Sequence, residues 1–196
     1  MPGGGEGGMS EGWDDLWPVV AEVEREQWGY VPFERVGPLR FGMREPEALA
    51  VMAAAGFACE AEVQRGHIKG KVTFRKSAER GGEPDVTAYF VDHLDAEGLT
   101  CVTVDGRGGP QVTWEGIKLI GRVPSQLTAE FLDYVEARDL GFGFSVQGDV
   151  FPVDQGFIPA TQRAGDVLVT RAMFANPEGW AFTVDDCIPQ EAWGVR

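Results

Sequence analysis

The apolar period of this chain switches from helical to two and back again, in short runs. In "CEAEVQR" the residues Cys59, Ala61 and Val63 alternate with Glu60, Glu62 and Gln64; in "IKGKVTFRK" Ile68, Val72 and Phe74 alternate with Lys69, Lys71, Thr73 and Arg75. Alternation of this kind turns one set of side chains to a core and the other to water, so both stretches are expected as strands. Paired across the turn "RGH" they set an acidic outer face against a basic one, and such cross-strand pairs contribute roughly 0.2 to 1 kcal/mol each. Further strands are expected in "DVTAYFVD", "LTCVTVDG", "QVTW" and "IKLIGR", the last two joined by Glu115-Gly116, a two-residue link suited to a tight hairpin. Beyond them, "GFIPATQRAGDVLVTRAMF" reads as a hairpin turning at Ala164-Gly165-Asp166, and "WAFTVDD" as one more strand.

Three stretches carry the helical period instead. From Trp13 to Trp28, Leu16, Val19, Val20 and Val23 recur at helical spacing against Glu22, Glu24, Arg25 and Glu26, with Pro18 in a tolerated first-turn position of a regular helix that begins near Trp17, and with Trp13, Trp17 and Trp28 facing inward. In "VGPLRFGMREPEALAVMAAAGF", Gly42 opens a helix that has Pro46 in its first turn, and Glu45 and Glu47 lie at the positive end of its dipole. Leu49 and Met52 form its apolar stripe, Met43 is a packing plug, and Gly56 takes the left-handed position after its end. In "GRVPSQLTAEFLDYVEARDLG", Leu127, Phe131, Tyr134 and Val135 share one face and Glu130, Asp133 and Glu136 another, with Ser125 as the expected cap. Helices alternating with short antiparallel runs define an α+β fold, with short helices packed on one sheet face. A tail over residues 1–12, lacking both a basic patch and an apolar run, and a single compact unit over 13–196 complete the expected organisation; the two Gly-then-Pro helix starts hint at sub-repeats over 36–120 and 121–196.

The segment "LRFGMREPEALAVMAAAG" resembles the loop-into-helix signature of BamE-like outer-membrane assembly lipoproteins, which recurs in tandem in the streptomycete β-lactamase inhibitor protein. That resemblance implies a helix-on-sheet module whose relatives work by binding other proteins; it does not imply β-lactamase inhibition. Arg44 stands where that family carries a capping Thr or Ser, and the family's lipid-attachment cysteine has no counterpart. The set "GPLRFGM", "GPQVTWEG", "LIGRVPS" and "QRAGDVLVTR" is also similar to a family of uncharacterised actinobacterial proteins, a likeness that implies no mechanism.

Charge narrows the function classes. Seventeen Lys and Arg against thirty-one Asp and Glu give a net charge of -14, a field that repels phosphate backbones and anionic headgroups and attracts a basic protein partner. Cys59, Cys101 and Cys187 are odd in number and widely spaced, which argues against a disulfide framework or a zinc site; Cys59 and Cys101 read as small buried hydrophobes. Cys187 directly follows Asp185 and Asp186, whose charges raise a thiol pKa. His67 in a turn and His93 in the loop "VDHLDAEG" lack metal-pair spacing, so no metal and no cofactor is assigned, although Asp92, His93 and Asp95 suit weak cation binding. The glycine-rich "DGRGGP" lacks the Lys, Ser or Thr and following helix of a phosphate loop and reads as a turn. None of the four serines lies in a nucleophile elbow.

The leading expectation is a cytoplasmic, acidic protein-binding module, of the immunity or inhibitor kind, that blocks a basic toxin or enzyme, with no catalytic residues and with Glu130, Asp133 and Glu136 as candidate contacts. Two alternatives stand beside it. One is a small-molecule site or enzyme with a pocket formed by Trp114 and one of Tyr89 or Phe90, near Asp92 and His93; the other is a structural subunit of a larger assembly.

Overall fold

The computed structural model describes residues 18–65, 69–76, 83–93, 96–145 and 148–176. The fold is α+β, built on two main sheets and two helices. The larger sheet has six strands: β4 (Ala58–Arg65), β5 (Lys69–Arg75), β6 (Val86–His93), β7 (Ala96–Val104), β12 (Phe157–Ala164) and β13 (Val167–Ala175). Its spatial order is β12-β13-β7-β6-β5-β4, and every neighbouring pair is antiparallel. The second sheet runs β3-β2-β1-β8-β9, from β1 (Gln27–Val31), β2 (Arg35–Val36), β3 (Leu39–Arg40), β8 (Gln111–Trp114) and β9 (Ile117–Lys118). It is mixed, because β1 and β8 are parallel in the register Gln27 with Gln111 and Trp28 with Val112. A short ribbon of β10 (Phe142–Phe144) and β11 (Val150–Pro152) completes the strands among the described residues.

The helix expected from Trp17 to Trp28 is not formed in the described part of that stretch. Glu22–Glu24 make a single tight turn, Val23 is exposed, and Trp28 is buried in β1. Four apolar residues matched one helical face, but three of them are β-branched valines, and β1 is held instead by backbone pairing with β8, more than eighty positions away in sequence. Trp13 and Trp17 lie outside the described residues.

The other two helices are present. Helix α1 (Glu45–Ala54) has Pro46 in its first turn and buries Ala48 and Met52, while Leu49 packs half-buried beside the core. Gly42 and Gly56 both take φ +81, so the chain enters and leaves α1 through left-handed residues. Arg44, unlike a Ser or Thr, caps through its backbone: its N–H donates to the Glu47 carboxylate at 2.9 Å. The Gly42-Met43 link is tied to the large sheet, since Gly42 N–H donates to the Leu99 carbonyl at 2.8 Å and Leu99 N–H to the Met43 carbonyl at 2.7 Å. Helix α2 (Pro124–Arg138) buries Leu127, Phe131 and Val135, as its spacing predicts. Ser125 is not its cap; Val123 holds that position without a side-chain bond, and Pro124 begins the helix.

One hydrophobic core joins α1, α2 and both main sheets. Its centre is aromatic: the Trp114 ring lies 5.2 Å from Phe157 and 4.6 Å from Tyr134, and Tyr30 lies 4.7 Å from Phe174. Ring pairs at these spacings add roughly 0.5 to 1.5 kcal/mol each beyond their buried area.

Candidate functional site

The surface of interest begins at the exposed face of α2. Asp133 and Glu136 are exposed there, one turn apart. Glu130 is engaged instead: the Arg122 guanidinium donates to both of its carboxylate oxygens, and the carboxylate side chain keeps 41 % exposure. Arg138 lies 3.9 Å from the centre of the Tyr134 ring, a cation on an aromatic face. The helix ends at Asp139, which takes the left-handed conformation at φ 53. The first turn of α2 carries no acid, whereas Glu136 in its last turn and Asp139 just after it stand at the end where the helix dipole is negative, together with the complementary cation of Arg138. The arrangement is the reverse of α1, whose acids Glu45 and Glu47 lie in its first turn.

Three residues beyond Asp139 the chain enters β10, in the sequence Gly141-Phe142-Gly143-Phe144. Phe142 and Phe144 are 48 % and 66 % exposed, with their rings edge to face at 5.6 Å. Gly143 sits directly opposite Phe151 of β11, and a Cβ added there would lie 3.1 Å from the Phe151 ring, so the glycine leaves room for that ring. The strand was not expected from sequence. Its signal was the Gly-Phe alternation, a period of two that glycine conceals because only one face carries side chains.

The glycine-rich "DGRGGP" turn has a structural task. The buried Arg25 guanidinium donates to the carbonyls of Gly109 at 2.6 Å, Gly106 at 2.8 Å and Arg107 at 3.0 Å, and its Nε to that of Val20 at 3.1 Å. A phosphate loop aims N–H groups at its ligand, whereas this loop aims carbonyls at a cation. The Asp105 carboxylate accepts from the N–H groups of Arg107 and Gly108 at 2.9 and 2.8 Å, and from Gln162 Nε2 at 2.5 Å. Gln162 Oε1 in turn accepts from Gly106 N–H at 2.7 Å. Sequence reasoning placed Arg25 on a solvated helix face; the structure buries it as the peg of this turn.

Elsewhere the structure parts residues that the sequence grouped. The pocket built on Trp114 and Tyr89 or Phe90 is not formed: Trp114 and Phe90 are buried in the core, and Tyr89 is on the other face of β6, its ring 5.7 Å from the Lys71 ammonium. His93 and Asp92 belong to β6 rather than to a loop. A small cleft with a free volume of about 40 Å³, room for a few waters, opens beside Lys71, Thr87, Thr103, Asp105 and Arg171. Cys101 is buried as expected, but Cys59 is exposed, and the β4–β5 register shifts between Cys59 and Ala61. The register sets Glu62 opposite Val72 instead of a lysine, and among the described side chains an acid-base pair joins Glu60 to Arg75 at 2.5 Å. His67, Asp95, Cys187 and the "WAFTVDD" strand lie outside the described residues.

Burial pushes the Tyr30 hydroxyl, which donates to the Gln155 carbonyl at 2.7 Å, up to about 12. The Lys118 ammonium bonded to Glu22 holds that carboxyl below its ordinary value and ties the Glu22–Glu24 turn to β9. Among the described residues, no group of three or more His, Cys, Asp or Glu side chains is placed to hold a metal ion. No described helix is long and apolar enough to cross a membrane. Compared with protein-family models, curated proteins and solved structures, the chain has no match.

Proposed function

We propose that this protein is an acidic binding module of the immunity or inhibitor type, which occludes a basic toxin or enzyme through the exposed end of α2 and the adjoining β10. The observation that carries the reading is the exposed acidic run of Asp133, Glu136 and Asp139, of which Glu136 and Asp139 stand at the dipole-negative end of α2, where an acid loses a few tenths of a kcal/mol of helix stability. Stability alone favours the opposite pattern, the one found in α1. Following Asp139 in the chain, Phe142 and Phe144 offer exposed aromatic area of the kind that anchors protein interfaces. The net charge of -14 speeds encounter with a cationic partner. Glu130, held by Arg122, belongs to the rim of this surface rather than to its centre.

The test is capture of partners from native-host lysate at low and high salt, followed by association kinetics of the purified pair. A stoichiometric basic protein whose association slows about tenfold on Asp133→Lys plus Glu136→Lys supports the reading. Recovery of no stoichiometric protein, or an unchanged rate with the recovered one, rejects it.

A further inference from the structure

Among the described residues, the backbone of β10 has one paired edge and one without a strand beside it. Ser145 N–H donates to the Asp149 carbonyl at 2.8 Å, and Val153 N–H donates to the Gly141 carbonyl at 3.2 Å. With Phe142 opposite Pro152, Gly143 opposite Phe151 and Phe144 opposite Val150, residues 141, 143 and 145 are those whose backbone groups face β11. In an antiparallel pair the intervening residues direct N–H and C=O away from the partner. Phe142 and Phe144 therefore turn their backbone donors and acceptors to the outer side of a two-stranded ribbon, where no other described strand pairs with them. Native sheets commonly guard such an edge with a lysine, a proline or a covering element. This strand carries neither lysine nor proline, and both of its phenyl rings are exposed.

We infer that β10 is a strand-addition site, which takes an extended, basic segment of the partner as a further strand beside Phe142–Phe144. The inference rests on the binding-module reading and supplies its mode of recognition. Backbone pairing at Phe142 and Phe144 provides the hydrogen bonds, the two rings pack on alternate side chains of the incoming strand, and the net charge of -14, with Asp139 three residues before the strand, favours lysine or arginine in it. A second copy of the chain fits this edge less well, since two molecules at -14 repel each other.

The probe is a capped heptapeptide of alternating lysine and valine at low ionic strength, with binding followed by backbone amide shifts and amide exchange. The expected result is exchange slowed at least tenfold at Phe142 and Phe144. In Phe144→Pro, which removes an outward donor while leaving the inward bonds of Gly143 and Ser145, affinity falls at least tenfold; in Phe144→Leu it changes less than about threefold. Unchanged protection of the Gly143 and Ser145 amides in the free proline variant shows that the ribbon is intact, and the exchange measurement on the native chain decides the matter if it is not. Absence of peptide binding, or binding without protection at Phe142 and Phe144, overturns strand addition. The binding-module reading survives either outcome if the lysate partner still depends on Asp133 and Glu136. Concentration-dependent dimerisation abolished by Phe144→Pro overturns the basic occupant in favour of a second copy.

Discussion

Gly98 takes φ +97 in β7, and a methyl group built on it would lie 2.5 Å from the carbonyl oxygen of Gly42 and 2.6 Å from that of Met43. Those atoms belong to the tether between the α1 start and the large sheet, so neither can move without breaking the Leu99 bonds to Gly42 and Met43. Gly98→Ala therefore adds both backbone strain and a clash, and is expected to lower stability by about 2 to 4 kcal/mol, read as a shifted denaturant midpoint. Tyr30 sets a second expectation. Its folded value of about 12 exceeds the ordinary 10, so the neutral hydroxyl is favoured by folding. Its contribution is complete below pH 10 and is lost as pH rises from there through about 12, an effect of order 2 to 3 kcal/mol. Tyr30→Phe should flatten the alkaline fall in unfolding free energy over that window; an equally steep fall in the variant refutes the assignment. At this scale the sequence was informative wherever a residue answers to its immediate neighbours. The positive φ of Gly42 and Gly56 was legible, whereas Gly98 was not, because its constraint comes from a loop more than fifty positions earlier.

Among the elements, α2 is where local rules and charge disagree. Neutralising Asp133 and Glu136 to Asn and Gln removes two carboxylates from the dipole-negative half of the helix and should raise stability by about 0.3 to 1 kcal/mol, measured by thermal or denaturant unfolding. If those residues serve a partner, the same variant loses association rate while gaining stability; a loss of stability would show that they hold the fold instead. The helix itself was readable, since Leu127, Phe131 and Val135 follow its period and are the residues buried. The tight hairpin at Glu115-Gly116 was readable too: both residues take positive φ, 49 and 84, and Trp114 pairs with Ile117. So was the turn after Ala164, where Ala164 pairs with Val167. What failed was the first helix. Its valines fit a helical face on spacing alone, and only the parallel pairing with β8 shows why Gln27–Val31 is a strand. The surface at β10 escaped for a related reason: its glycines erase half of the alternation that marks a strand.

Across the whole molecule, most sheet neighbours are hairpins joined by short connections, and these local pairings are what periodicity can reveal. The two that shape the fold are not local: β13 joins β7 in the large sheet, and β1 joins β8 in the small one. No pattern within either strand names its partner, so topology lay beyond the sequence even where the strands did not. Charge is also a property of the whole. At -14 the molecule attracts a cationic partner over distances comparable to the screening length, about 10 Å at 0.1 M salt and about 30 Å at 0.01 M. Raising salt from 0.01 to 0.3 M should therefore cut the association rate by about ten-fold or more, while dissociation, if the proposed contacts of Phe142 and Phe144 govern it, should change by less than about threefold. Stopped-flow or surface-binding kinetics with the captured partner separate the two rates. Equal salt dependence in both would mean that ion pairs, rather than the aromatic edge, hold the complex together. A rate indifferent to salt would remove the role assigned to the acidic field.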